Sequence, residues 1–294
     1  MELQSGLSGG TIVTFAAGRL SERARIVLAE VHDGQCLVLT DRTPFHPQSM
    51  TWPDQPGDRG TLALPDGRIA AVGNSCEGLL NGETGELFTG EAALGMRRGE
   101  ATLQAVVVHV LTGDLVPAAG DEVTLTVDQP YRDALSLQHT GVHLAALALN
   151  QCAAAFWTKD QTDRDSLGAA NLDKATVTRS QIAPDGSTDS YRLGKSLRKK
   201  GFDRDAFLSD LPARAAAINA TLRHMLAAPA PVLLSPAEGP LGDRRQWSTR
   251  LNGTEVSMPC GGTHVADLSQ IGGISVQLAP IEEGFVMLTQ TAPA

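Results

Sequence analysis

The chain has 294 residues, of which 42% are apolar and only 4% aromatic, so a sizeable core is available and aliphatic side chains must fill most of it. The formal net charge of −9 argues against non-specific attachment to nucleic acid and leaves room only for a local basic patch. No segment offers the roughly 20 uninterrupted apolar residues of a membrane span.

Residues 1–10 are polar and Gly/Ser-rich, without the basic start and apolar run of a signal peptide, so a cytoplasmic protein is expected. The four cysteines, Cys36, Cys76, Cys152 and Cys260, are scattered and form no Cys-x-x-Cys pair. Free thiols are the expectation in a reducing compartment.

Residues 11–16, 25–31 and 35–41 are short runs of β-branched and aliphatic residues separated by Gly and Asp, as at His32-Asp33-Gly34. Asp66-Gly67, between Leu62-Ala63-Leu64 and Ile69-Ala70-Ala71-Val72, signals a hairpin. Residues 74–90 hold many Gly and polar residues and are predicted as loop. Residues 106–111 and 122–127 continue the strands. The pattern predicts a small β-barrel-like domain over residues 1–128.

Asp128-Gln129-Pro130 then marks a helix start. Residues 131–156 are rich in Leu and Ala, with Gly141 as the one interruption, and predict a long helix. A strand over 175–182 follows, then a helix over 203–226 capped by Asp203 or Asp205 and ended by Pro229 and Pro231. Strands are predicted at 232–234, 246–251, 255–258, 274–278 and 285–289. Residues 129–294 therefore form an α+β domain, and the whole chain is of α+β class.

His139 and His143 lie four residues apart in the predicted helix, which puts both imidazoles on one face, one turn apart. Taken alone, the pair is equally two polar side chains on a helix. Position 140 is Thr140, so the glutamate base of the zinc proteases is not encoded. Cys260-Gly261-Gly262-Thr263-His264 supplies a thiol and an imidazole across a glycine pair, read as a tight turn reached through positive φ. Alone it is also an ordinary Gly-Gly turn. Together the halves offer three imidazoles and one thiolate, the donors zinc prefers.

The pair His139-x-x-x-His143 followed by Cys260-Gly261-Gly262-Thr263-His264 resembles the editing domain of alanyl-tRNA synthetases and their free-standing AlaX relatives. Asp41-Arg42-Thr43-Pro44-Phe45-His46-Pro47 and Gln55-Pro56-Gly57-Asp58-Arg59-Gly60 resemble the N-terminal signature of that family. The resemblance runs from about Ile26 to Leu288. It implies a zinc-dependent hydrolase acting in trans on mischarged tRNA(Ala), Ser-tRNA(Ala) and in some members Gly-tRNA(Ala). It implies His139, His143, Cys260 and His264 as Zn2+ ligands. It places Thr43 where the family senses the serine hydroxyl, with Gln55 and Asp58 lining the same cleft, so these three are the candidate catalytic residues.

One departure is plain. The Gly-Gly-Gln run of the family is replaced by Gln48-Ser49-Met50-Thr51-Trp52-Pro53-Asp54-Gln55. A zinc hydrolase of another ester or amide, or a tRNA-binding module with structural zinc, are the alternative expectations. For the tRNA, Arg192, Lys195, Arg198, Lys199 and Lys200 form the densest basic run, flanked by Tyr191 and Phe202. Arg244, Arg245 and Arg250 around Trp247 form a second group.

Overall fold

A computed structural model describes residues 7, 9–96 and 100–294; most of the stretch 1–10, where no signal peptide is expected, lies outside the described residues. The chain forms two compact units. One comprises Met1–Arg132, Leu234–Arg245 and Cys260–Thr263, and the other Asp133–Leu233, Gln246–Pro259 and His264–Ala294. No helix among the described residues is long and apolar enough to cross a membrane.

The first unit is built on a ring-like antiparallel sheet. Its strands pair in the order Gly60–Ala63, Glu122–Val127, Ser21–His32, Gln35–Thr40, Leu103–Thr112 and Ile69–Asn81. The last returns to the first and closes the ring. Period-two alternation places Leu62 and Leu64, and Val123, Leu125 and Val127, in one buried cluster with Ile26, Val38 and Phe45. The Asp66-Gly67 hairpin forms as expected, with Ala63 opposite Ile69 and Gly67 at φ 91°. The expected strand at 11–16 is shorter. Ile12–Val13 lies between Arg42–Thr43 and Gly239–Pro240, and a 3-10 turn, Phe15–Ala17, follows. Pairing with Gly239–Pro240 fixes a late segment of the chain in this unit.

The expected loop at 74–90 is corrected in part. The strand Ile69–Asn81 takes up its first part, a turn over 82–86 follows as expected, and the chain pairs back through Leu87–Phe88. Of its glycines, Gly82 and Gly85 lie in that turn while Gly78 lies within the strand, and Gly73 just before the stretch sits at a bulge between Val72 and Asn74. A Cβ on Gly78 would stand 2.8 Å from Val108 Cγ2. Glycine here marks close approach between strands rather than a break.

In the second unit the four-stranded antiparallel sheet runs Val177–Ala183, Gly186–Arg192, Gly284–Pro293, Ile271–Ile281. Helices cover one of its faces. The long helix Gln129–Ala153, which belongs to this unit from Asp133 on, approaches at Gly141, where a Cβ would stand 1.9 Å from Thr291 Oγ1. Gln138 clamps the same strand, donating to Thr291 O at 2.9 Å and accepting from Thr291 N–H at 2.9 Å. The helix Leu211–Met225 does likewise through Asn219, whose amide bonds both backbone groups of Val276.

The single helix expected at 203–226 is two helices, Arg204–Leu208 and Leu211–Met225. Asp210, at φ −148°, leaves the helical region and caps the second by accepting from Ala213 N–H, with Pro212 in the following turn. Asp203, not Asp205, caps the first. The strand expected from residue 175 starts at Val177, because Asn171 caps a short helix, Leu172–Thr176. The strand Gly186–Arg192 escapes sequence reading because its buried positions include Ser187 and Asp189, so its inward face is not apolar. The hairpin Gln246–Leu251/Thr254–Pro259 turns at Asn252-Gly253, both at positive φ (50° and 85°).

Candidate metal centre

The i, i+4 spacing does what helical geometry requires. His139 and His143 are both buried on the Gln129–Ala153 helix, and their ring centroids lie 4.9 Å apart. His264 joins them, 4.5 Å from His139 and 4.6 Å from His143. The indole of Trp247 stands edge-to-face against His143 at 4.9 Å and is completely buried, walling that side in carbon. Taken with Cys260 Sγ, the four ligand atoms all lie within 4.8 Å of one another.

One hydroxyl orients His264. Thr140 Oγ1 donates its only proton to Ser136 O at 2.8 Å and accepts from Val265 N–H at 3.2 Å. Its 3.2 Å contact with His264 Nδ1 must therefore be a bond donated by the ring. That fixes the proton on Nδ1 and leaves the Nε2 lone pair for a cation. In the sequence Thr140 stands out only as the residue that is not glutamate. The available signal is a hydroxyl in a helix interior, where it needs a defined partner.

The turn bearing Cys260 corrects one expectation. Gly261 and Gly262 do not take positive φ. Side-chain bonds shape the segment instead. Gly262 N–H donates to Cys260 Sγ at 3.4 Å, Cys260 N–H donates to Arg245 O, and the Gln55 amide exchanges two bonds with Thr263. Those two are Nε2 to Thr263 Oγ1 at 2.9 Å and Thr263 N–H to Oε1 at 3.0 Å.

The donor set suits a thiophilic divalent cation. Burial first, and the neighbouring His139 second, hold the His143 imidazole well below its ordinary value, so it is neutral with a free lone pair. His143 Nδ1 is buried without a hydrogen-bond partner. Burial pushes the Cys260 thiol up to about 12, so a cation is what would draw the proton from it.

The three candidate catalytic residues are placed as follows. Thr43 is completely buried in the ring unit. His109 Nδ1 must donate to Val38 O at 3.1 Å, so its Nε2 accepts the Thr43 hydroxyl at 2.8 Å. Thr43 Oγ1 in turn accepts Phe45 N–H at 3.1 Å. Asp58 is also completely buried, with Oδ1 accepting Arg132 Nε at 2.8 Å and Oδ2 accepting Arg132 Nη2 and His46 N–H. Burial pushes the Asp58 carboxyl above the ordinary carboxylate value while Arg132 pulls it back. Arg132 also holds Pro44 O at 2.7 Å, so this ion pair pins the 43–46 segment. Gln55 is the one of the three that touches the Cys260 segment. Trp52, the bulky departure, is 41% exposed.

The basic run is exposed at Arg192, Lys195, Arg198, Lys199 and Lys200, while its aromatic neighbours turn inward. Tyr191 stacks on Phe285 at 4.7 Å and donates to Asp173, and Phe202 packs against Phe207. Neither offers a face to a base. Of the second group, Arg245 is buried and donates to the carbonyls of Gly239, Pro240, Leu241 and Asp243, so it is a structural clamp.

No protein-family model matches the chain, and no curated protein matches it in sequence.

Proposed function

We propose that this protein is a zinc-dependent hydrolase that edits in trans, deacylating mischarged tRNA(Ala): Ser-tRNA(Ala), and also Gly-tRNA(Ala). The observation that carries the reading is the gathering of His139, His143, Cys260 and His264, the four residues at which the chain resembles the editing family, within 4.8 Å of one another. A bound Zn2+ would polarise an ester carbonyl or lower the pKa of a bound water toward ~7. The chain's own residues hold the site in place: Thr140 turns the His264 lone pair inward, Trp247 keeps water from one side, and Gln55 fixes the Thr263 segment. In this reading Asp58 positions the 43–46 segment and Thr43 belongs to its interior. The exposed basic run Arg192, Lys195, Arg198, Lys199 and Lys200 takes tRNA phosphates.

Release of amino acid from Ser-, Gly- and Ala-tRNA(Ala), with and without a chelator, tests this. Chelator-sensitive loss of serine or glycine, with Ala-tRNA(Ala) spared, is expected. One observation favours a second reading. Four protein donors fill a tetrahedral shell, whereas catalytic zinc keeps a position open. A tRNA-binding module with structural zinc would unfold on chelation and show no deacylation at all.

A further inference from the structure

Among the described residues, helices cover only one face of the four-stranded sheet of the second unit, and the other face has a distinct chemistry. Register fixes its composition. Gln181 pairs with Thr188, Thr188 with Leu288, and Leu288 with Gln277, which makes one row across all four strands. Two residues along each strand, Arg179 pairs with Ser190, and Arg192 follows Ser190 on the same face by period two. Gln181, Gln277, Gln290, Arg179 and Arg192 are exposed, and Leu288 at the centre is 40% exposed. Their alternate neighbours Ile182, Val276 and Met287 are buried, so the assignment of faces is unambiguous. A depression of about 580 Å³ lies here, lined by Gln181, Thr188, Gln277 and Gln290, with Asp185 of the Ala183–Gly186 turn at its edge.

The chain carries 33 acidic residues, yet none of the strand positions on this face is a carboxylate. The charges there are Arg179, which has no ion-pair partner among the described residues, and Arg192, which pairs with Glu283 at its rim. The exposed lysines Lys195, Lys199 and Lys200 follow directly after Arg192 in the chain. With Asp185 confined to a turn and Glu283 to the rim, the strand positions themselves carry only cationic charge, which is complementary to a polyanion.

The side chains also say which polyanion. No aromatic residue stands among these strand positions, so there is no platform on which single-stranded bases could stack. Instead the face carries amides and hydroxyls, which both donate and accept and so match ribose 2′-hydroxyls. At ~4.8 Å per strand spacing the outer strands are about 14 Å apart, wide enough to lie on a shallow groove. The A-form minor groove is wide, shallow and lined by 2′-hydroxyls.

We propose that this open sheet face docks double-helical RNA through its minor groove, with Gln181, Thr188, Gln277 and Gln290 meeting the ribose edge and Arg179 a phosphate. The docking face rests on the tRNA reading and deepens it: the duplex is the helical part of that substrate. The experiment uses the full chain and an uncharged RNA hairpin, followed by fluorescence anisotropy, so binding is measured apart from hydrolysis. Gln277→Glu with Gln290→Glu, and separately Arg179→Glu, alter exposed side chains only, and unchanged thermal melting verifies the fold.

The double glutamate variant is expected to weaken hairpin binding by about tenfold or more, and Arg179→Glu to weaken it and lower its salt dependence. The DNA hairpin of the same sequence is expected to bind more weakly than the RNA. Unchanged affinity in both variants, equal affinity for the DNA hairpin, or preference for single-stranded RNA would overturn the proposal. So would a shift in sedimentation showing that the face joins two copies of the chain. A chain that binds the hairpin in this way but releases no amino acid from charged tRNA would contradict the proposed reaction and leave the docking face standing.

Discussion

A single hydroxyl decides much of the metal centre. Thr140 accepts the Nδ1 proton of His264 and so leaves the Nε2 lone pair free for a cation. Replacement by Val keeps the volume and removes the acceptor. Thr140→Val is expected to lower metal affinity by about 10- to 100-fold, read by competition with a chromophoric chelator, with secondary structure unchanged. His109 makes a second prediction at this scale. Burial lowers its imidazole from 6.5 to about 4, so the folded state keeps it neutral where the unfolded chain binds a proton. Between pH 6.5 and 4 the unfolded state therefore holds more protons, and stability falls as the pH falls. The full shift corresponds to about 3 kcal/mol, all of it retained above pH 6.5. Urea denaturation across that window is expected to show the loss, with a shallower slope in His109→Gln. The four clustered side chains were legible in the sequence because a metal would demand specific atoms at specific spacings. The hydroxyl was not, because Thr140 matters through where Ser136 O, Val265 N–H and His264 meet it, and two of those come from a distant segment.

At the scale of elements, the long helix was the most legible feature, since the Leu/Ala run, the Asp128 start and the length agree. Its Gly141 looks like a weak point in that run and is a contact surface. Gly141→Ala drives a methyl into Thr291 Oγ1 at 1.9 Å, on a strand already clamped by Gln138. An exposed helical Gly→Ala is ordinarily stabilising by up to about 1 kcal/mol. Here it is expected to destabilise by about 1–3 kcal/mol, measured by chemical denaturation. The same logic explains the first part of the stretch 74–90, where Gly78 serves close strand packing, while Gly82 and Gly85 mark a turn as expected. It explains the split at Asp210 as well, because a capping aspartate inside an Ala-rich run is compatible with continuing the helix or with starting another. The closed ring could not be seen locally at all. Its closure rests on Gly60–Ala63 bonding both Ile69–Asn81 and Glu122–Val127, and the second of these pairings joins segments far apart in the chain.

For the whole molecule, an acidic chain can hold a polyanion only by gathering its cations on one region. Arg192, Lys195, Arg198, Lys199 and Lys200 are exposed, and the three lysines pair with no acid among the described residues. Charge reversal at Arg198, Lys199 and Lys200 is expected to weaken tRNA binding and to flatten its dependence on salt, the slope falling by about one for each phosphate that is no longer neutralised. The central claim concerns the metal, and it is tested most directly by measuring zinc per chain and serine release from Ser-tRNA(Ala) on the same preparations of the parent protein and His139→Ala. The parent is expected to hold zinc and deacylate, and His139→Ala to lose both while retaining its fold by circular dichroism. A zinc-free His139→Ala protein that still releases serine at the parent rate would contradict that claim.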